Sequence, residues 1–130
     1  MYFFDERVYR GEWRNNLMHG YGEFYWTDGK RYIGYYEDDK KHGFGGFLFN
    51  IFPSLKAYVG YWENGVQEGL ALSWQGNTIK YEKWRNGKLR NTFSTVQEMK
   101  RHAKKEGLRF TELFNENPNK IFSLLFEDYL

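Results

Sequence analysis

The stretch YRGEW at residues 9–13 returns as YIGYY at 32–36 and as YVGYW at 58–62. A fourth, degraded copy ends in WRNG at 84–87, which matches WENG at 62–65. The first three copies begin at residues 9, 32 and 58, so their spacings are 23 and 26 residues. Repetition at such a short period is typical of arrays in which each unit contacts mainly its neighbours. The repeat is therefore the feature that decides the fold class.

Each copy has a second half that begins with small residues, GYG at 20–22, GFG at 43–45 and GLA at 69–71. Short aromatic runs follow these triplets, and a polar segment separates them from the first half. Two aromatic-rich runs joined by a polar turn indicate a β-hairpin. Asp28-Gly29 and Gly76-Asn77 are strong turn sequences between neighbouring strands. The pattern predicts a hairpin for each repeat.

Side chains of a strand alternate between two faces, so Tyr9, Gly11 and Trp13 share one face. We expect the glycine to leave a slot for an aromatic ring of the neighbouring repeat. One hairpin alone is marginally stable in water, whereas stacked hairpins cover each other's rings. The predicted fold is mainly β, a solenoid of about four antiparallel β-hairpin repeats with an α-helical C-terminal tail.

Composition divides the chain into an array, residues 1–93, and a tail, residues 94–130. All five tryptophans and thirteen of the fourteen glycines precede residue 94. Residues 1–8 resemble the last half of a preceding copy, which we expect to pair with the first full hairpin. The predicted repeats lie near 9–31, 32–57, 58–79 and 80–93, and the longer spacing of the third predicts an extended loop at 50–55.

Composition also limits the class of protein. A net charge of +2 argues against a dedicated nucleic-acid binder. The absence of cysteine excludes disulfides and thiol-ligated metal sites. The first residues lack the apolar core of a signal peptide, and no apolar run approaches the ~20 residues that span a bilayer. We expect a soluble or surface-attached intracellular protein.

These residues resemble the MORN-repeat family, whose pattern is a Tyr-x-Gly-x-Trp/Phe segment, a polar turn and a His-Gly-x-Gly-like close. Residues 9–31 and 32–50 match it well, whereas residues 58–74 carry Glu68 and Ala71 in place of the histidine and the second glycine. The resemblance implies a scaffold or interaction surface. It further implies a place in the cytoplasm or cytoskeleton, with a cilium, a flagellum or an organellar membrane complex left open.

The tail is expected to form helices. Ser94 or Thr95 with Gln97 or Glu98 matches the capping-box pattern, so a helix should run from there to Glu106 and stop at Gly107. A short second helix is predicted around residues 109–115, with Thr111 as a cap or a simple continuation of the turn as the alternatives. Pro118 suits the first position of a last, strongly apolar helix.

The sequence offers little for catalysis. His19 and His42 hold the same place in successive repeats, but equivalent positions about 9.6 Å apart do not suit one zinc ion, so we interpret both as structural. The glycines at 43–46 lack the Lys-Ser/Thr of a phosphate-binding loop. We therefore expect no enzyme, cofactor, metal, small-molecule substrate or nucleic acid.

Protein binding is the main functional expectation, because aromatic residues occupy both faces of several predicted strands. One face should form a groove suited to an amphipathic helix. Its candidate residues are Tyr21, Tyr25, Tyr35, Phe44, Tyr61 and Trp74. The chain's own tail could fill this groove instead of a partner, and both alternatives stay open.

Two further candidate sites lie in the tail. The apolar side chains of the last helix are candidates for docking on another subunit: Ile121, Phe122, Leu125, Phe126 and Tyr129. The basic residues of the first tail helix are candidates for an anionic membrane surface, or else a solvated helix face: Lys100, Arg101, Lys104 and Lys105. The sequence thus predicts a non-catalytic accessory subunit or scaffold of a ciliary or cytoskeletal, membrane-adjacent assembly. A lipid tether and the regulatory part of a larger enzyme are the alternatives.

Overall fold

The computed structural model describes residues 6–126, which form one open antiparallel sheet followed by helices. The strands pair in chain order. They are Val8–Arg14 (β1), Leu17–Tyr25 (β2), Arg31–Glu37 (β3), Lys40–Asn50 (β4), Lys56–Glu63 (β5), Val66–Gln75 (β6), Thr78–Arg85 (β7) and Lys88–Phe93 (β8). The prediction of a mainly β fold with a helical tail is confirmed at this level. The strand predicted near residues 1–5 lies outside the described residues.

Tight turns join the strands, and their backbone explains the choice of residues. At the turns between β1 and β2 and between β3 and β4, both central residues have positive φ, at Asn15-Asn16 and at Asp38-Asp39. Asn64-Gly65 and Asn86-Gly87 repeat this geometry at the later turns. Two positive φ angles in succession are typical of the type I′ turn, whose twist matches that of antiparallel strands.

The connection between β4 and β5, residues 51–55, is only as long as the connection between β2 and β3, residues 26–30, so the prediction of an extended loop at 50–55 is wrong. The connection places Phe52 almost entirely in solvent, with 85 % of its surface exposed. The three extra residues of the third spacing instead lengthen the strands, since β4 has 11 residues against nine in β2, and β5 has eight against seven in β3. The added pair, Asn50 with Lys56, follows an irregularity of register between Leu48 and Asn50.

At its centre, the sheet has buried side chains on both of its faces. Six of the eight residues of β5 are buried, and successive residues alternate between two apolar clusters. Tyr58 and Trp62 belong to one cluster, whereas Val59 and Tyr61 belong to the other. We call the first the ladder face and the second, against which the tail packs, the tail face.

The tail contains helix α1 (Val96–Glu106), a short 3-10 helix (Glu112–Asn115) and helix α2 (Pro118–Phe126). The predicted capping is confirmed: Thr95 Oγ1 accepts from the Glu98 amide, and Gly107 ends α1 with a left-handed φ of 69°. The Glu98 carboxylate in turn accepts from the Ser94 amide at 3.0 Å. The second predicted helix is only the single 3-10 turn, with Thr111 as its cap.

Candidate interaction surfaces

A continuous line of rings crosses the ladder face from one repeat to the next. Within each repeat, the tyrosine that begins the motif meets the aromatic four residues on, with centroids 4.9–5.1 Å apart. The same tyrosine meets the corresponding aromatic of the following repeat, with centroids 5.6–5.9 Å apart. All six contacts are edge-to-face, in the order Trp13, Tyr9, Tyr36, Tyr32, Trp62, Tyr58 and Trp84. At ~0.5–1.5 kcal/mol each, they hold neighbouring hairpins together.

The motif glycine has a different role from the one expected from the sequence. It faces the small residue of the paired strand, as in Gly11 opposite Gly22 and Gly34 opposite Gly45. A Cβ on Gly22 would lie 2.5 Å from Cε1 of Tyr9, in the same hairpin. The slot therefore holds the ring of the repeat's own tyrosine, and the expectation of a neighbour's ring is wrong. The hydroxyl explains the choice, because Tyr9 Oη crosses the slot and donates to the carbonyl of Glu12 at 2.8 Å.

In the second and third repeats, the residue at the histidine position connects the hairpin to the next turn. Nδ1 of His42 accepts from the amide of Asn64 at 3.3 Å, and Oε1 of Glu68 accepts from the equivalent amide, that of Asn86, at 3.0 Å. A histidine and a glutamate thus make the same bond in successive repeats, which accounts for their interchange. Within residues 6–126, no group of three or more His, Cys, Asp or Glu side chains is placed to hold a metal ion.

On the tail face, the structure divides the predicted aromatic groove into two halves. Phe44 and Tyr61 are covered by Phe114 of the 3-10 helix, at centroid distances of 6.1 and 6.3 Å, and Trp74 meets Phe122 of α2 at 5.6 Å. The tail thus fills the groove over the second half of the sheet. The sequence left open whether a partner or the chain's own tail fills the groove, and over this half it is the tail.

The other half of the groove is not covered by any described residue of the tail. Tyr21 and Tyr35 oppose each other on β2 and β3, with rings 5.7 Å apart and exposed fractions of 46 % and 49 %. Tyr25 is half-buried, donates to Glu23 Oε2 at 2.8 Å and lies 4.8 Å from the Arg31 guanidinium. Burial and this hydrogen bond raise the pKa of Tyr25 to about 12.

The apolar residues of α2 are used within the chain. Ile121, Phe122 and Phe126 are buried in the tail-face cluster, and Leu125 is half-buried against it. A partner could contact these side chains only if α2 left the sheet. Tyr129, the remaining docking candidate, lies outside the described residues.

The basic candidates of α1 lie on its solvent side. Lys100, Arg101, Lys104 and Lys105 are all exposed, whereas Met99 and Ala103 of the same helix are buried. Within the described part of the chain, none of the four forms an ion pair. Their charges are therefore available to an external anion.

The sequence comparison agrees with the observed repeats. A family model for the MORN repeat matches residues 9–31, 32–50 and 58–72. These three segments of the chain are MORN repeats. No curated protein matches it at a significant level. No helix among residues 6–126 is long and apolar enough to cross a bilayer.

The MORN repeats differ most at positions that the sequence analysis did not single out. On the ladder face, the residue that opposes the last aromatic of the motif is Met18 in the first repeat, Lys41 in the second and Gln67 in the third. In the degraded fourth copy, Glu82 stands where the other motifs have glycine, and it is wholly buried. Aligning the repeats column by column exposes these exchanges, but only the structure shows that Gln67 and Glu82 line the same cleft.

Proposed function

We propose that this MORN-repeat chain is a non-catalytic interaction module, an accessory subunit or scaffold of a larger assembly. The observation that carries the proposal is the uncovered half of the groove on the tail face. Tyr21 and Tyr35 stand in the same cross-strand row as Phe44 and Tyr61. Among residues 6–126, the row is thus capped over its second half and open over its first.

The covered half indicates the kind of partner that suits the open one. There, a phenylalanine from a single helical turn, Phe114, packs edge-on against two rings of the row. A partner helix that presents Phe or Leu could continue the same packing over Tyr21 and Tyr35. Exposed tyrosines suit such contacts because they bury a large area at a low cost in side-chain entropy.

The regular ring contacts and turn bonds support a solenoid of about four hairpin repeats, in which each repeat contacts only its neighbours. A rigid module of this kind suits a cytoskeletal or ciliary assembly near a membrane. That setting is our proposal for the protein.

The test is co-purification from native cells with a variant of the open row. Tyr21→Ser with Tyr35→Ser should abolish recovery of the partner, whereas Phe52→Ser, which alters a more exposed aromatic in the connection at 51–55, should not. Because both altered residues of the double variant are about half exposed, its unfolding transition should stay close to that of the wild type. Equal recovery with the double variant and the control would reject the open row as the docking surface.

A second candidate function is attachment to an anionic membrane surface. It is favoured by the four exposed cations of α1 that have no ion-pair partner within residues 6–126: Lys100, Arg101, Lys104 and Lys105. Clustered basic residues near a surface contribute about 1 kcal/mol each and lose that contribution as salt is added. Replacing all four by Gln should abolish flotation with phosphatidylserine vesicles at low salt. A matched variant with Lys40, Arg85, Lys88 and Arg90 replaced by Gln should still float. Equal flotation of the two variants would reject α1 as the contact.

A further inference from the structure

The ladder face contains an aromatic cage that already holds an amino group. Nζ of Lys41 lies 5.6 Å from the ring centroid of Trp26, 5.5 Å from Tyr32, 5.2 Å from Phe47 and 5.6 Å from Trp62. A cation within about 6 Å of a ring is attracted by the ring's quadrupole, and the attraction grows when water is excluded. The second repeat therefore shows what this position in the array accepts.

The third repeat builds the same cage without its internal lysine. Gln67 opposes Trp62 as Lys41 opposes Tyr36, so Gln67 takes the place of Lys41. Ser73 is the counterpart of Phe47, because Ser73 pairs with Lys80 as Phe47 pairs with Tyr58. The small side chain of serine therefore stands where the second repeat has a ring. The missing ring leaves a cleft of about 360 Å³.

The cleft combines ring faces with a buried acid. Its lining includes Phe49, Tyr58, Trp84, Gln67, Ser73 and Glu82. Trp84 Nε1 donates to Oε1 of Glu82 at 3.0 Å, whereas Oε2 has no hydrogen-bond partner within residues 6–126. Oγ of Ser73 is also buried without a partner there. Lys56 also lines the cleft, and its Nζ lies 4.9 Å from the centroid of the Phe49 ring.

An isolated carboxylate removed from water is costly unless a cation or several donors accompany it. Glu82 has no exposed surface, and no described cation pairs with it. The two features of the cleft, electron-rich rings and an acid oxygen without a donor, are both satisfied by one kind of ligand. That ligand is an amine cation.

We propose that this cleft binds an alkylammonium group, held against the rings of Tyr58 and Trp84 as Lys41 Nζ lies against Tyr32 and Trp62, with its N–H donors directed to Glu82. The cleft lies on the ladder face, opposite the open row of Tyr21 and Tyr35. The proposal is therefore independent of the proposed docking surface. A lysine side chain of another protein and a free amine carry the same group.

The test follows the indole N–H resonance of Trp84 while n-butylammonium chloride is added to the full chain. The expected result is a saturable shift of this resonance, with 1-butanol, a neutral molecule of the same size, and sodium chloride producing none. Glu82→Gln should weaken binding by about tenfold or more, because it removes the charge but keeps the shape. Gln67→Lys should abolish binding, because it supplies an internal amine as Lys41 does in the preceding cage.

The matched control is Lys41→Gln, which empties the second cage and should leave the response of Trp84 unchanged. Unfolding curves of all three variants confirm that the fold is retained. An equal shift with 1-butanol, equal affinity of Glu82→Gln, or no saturable shift would each overturn the proposal, the last identifying the cleft as merely hydrated.

A lysine-containing peptide distinguishes the two sources of the amine. If it binds about tenfold more tightly than n-butylammonium, the ligand is a protein side chain, because backbone contacts add to the ammonium. Equal affinity of the two probes assigns the cleft to a free amine.

Discussion

Replacing Gly60 by alanine tests the physical account of the repeat most directly. A Cβ on Gly60 would lie 2.5 Å from Cβ of Ala71, 2.6 Å from the carbonyl oxygen of Leu70 and 2.7 Å from Cα of Ala71. Two of these three atoms are backbone, so no side-chain rotation can relieve the contact. Strands β5 and β6 must separate locally by nearly 1 Å to restore ordinary contact.

The cost follows from what that separation disturbs. Overpacking in a well-packed core costs about 1–3 kcal/mol, and each weakened ladder hydrogen bond adds about 0.5–1.5 kcal/mol. With one or two such bonds affected, we expect Gly60→Ala to lower the free energy of unfolding by about 1.5–6 kcal/mol. Equilibrium urea denaturation, followed by tryptophan fluorescence, measures this value.

A double-mutant cycle separates the contact from general effects of the added methyl group. Ala71→Gly alone should cost about 0.5–1 kcal/mol, as alanine-to-glycine changes in regular structure do. Combined with Gly60→Ala, it removes the closest of the three contacts, so the two effects should be less than additive by about 1 kcal/mol. A cost of Gly60→Ala below about 0.5 kcal/mol, or strictly additive effects, would refute the account.

Three further predictions concern the tail and the buried tyrosines. Phe114→Ala should lower the free energy of unfolding by about 3–5 kcal/mol in urea denaturation, because Phe114 is wholly buried. The control Leu124→Ala, at a residue with 62 % exposure, should change it by no more than about 0.5 kcal/mol. Equal costs of the two variants would contradict the packing of the tail. Thr95→Ala should lower the free energy of unfolding by about 1 kcal/mol through loss of the cap, and Thr95→Ser should restore most of it. Burial raises the pKa of Tyr32 and Tyr58 above the ordinary value of 10.0, so the folded chain retains protons that the unfolded chain releases. The free energy of unfolding should be unaffected by these groups below pH about 10 and should fall as the pH rises above it, less steeply in Tyr32→Phe. Urea midpoints that stay constant above pH about 10 would show that these hydroxyls titrate normally.

The sequence predicted the local structure well because local rules govern it. The turn residues, the capping pattern of Thr95 and Glu98, the stop at Gly107 and the start at Pro118 each depend on a few neighbouring residues. The extent of the second tail helix differed, since one turn of 3-10 helix has no distinct periodicity. The extra residues near 50–55 were assigned to a loop, whereas they lengthen β4 and β5. Alternation along each strand likewise separated the two aromatic faces correctly.

Pairings between distant residues were beyond the sequence. The alternation placed Tyr21 and Tyr61 on one face. It did not predict that Phe114 covers Tyr61 and leaves Tyr21 exposed. The glycine slot was assigned to the wrong ring because spacing alone does not distinguish a ring of the same hairpin from one of the next. Nothing in the sequence distinguishes Glu82, a single acid in a degraded copy. Its position beside Ser73 and Trp84 in the structure makes it a candidate site residue.

The sequence by itself determined that this chain is an array of aromatic, glycine-spaced hairpins ending in helices, because period, turn chemistry and caps are encoded within about 25 residues of one another. The tertiary structure decided which surfaces remain available. It directed α2 and the 3-10 helix onto the second half of one face, and it turned the loss of one ring at Ser73 into a cleft above a buried carboxylate. Both results depend on which side chains, far apart in the chain, pack against each other. Close packing allows only one side chain to occupy a given space, and the sequence does not say which one it is.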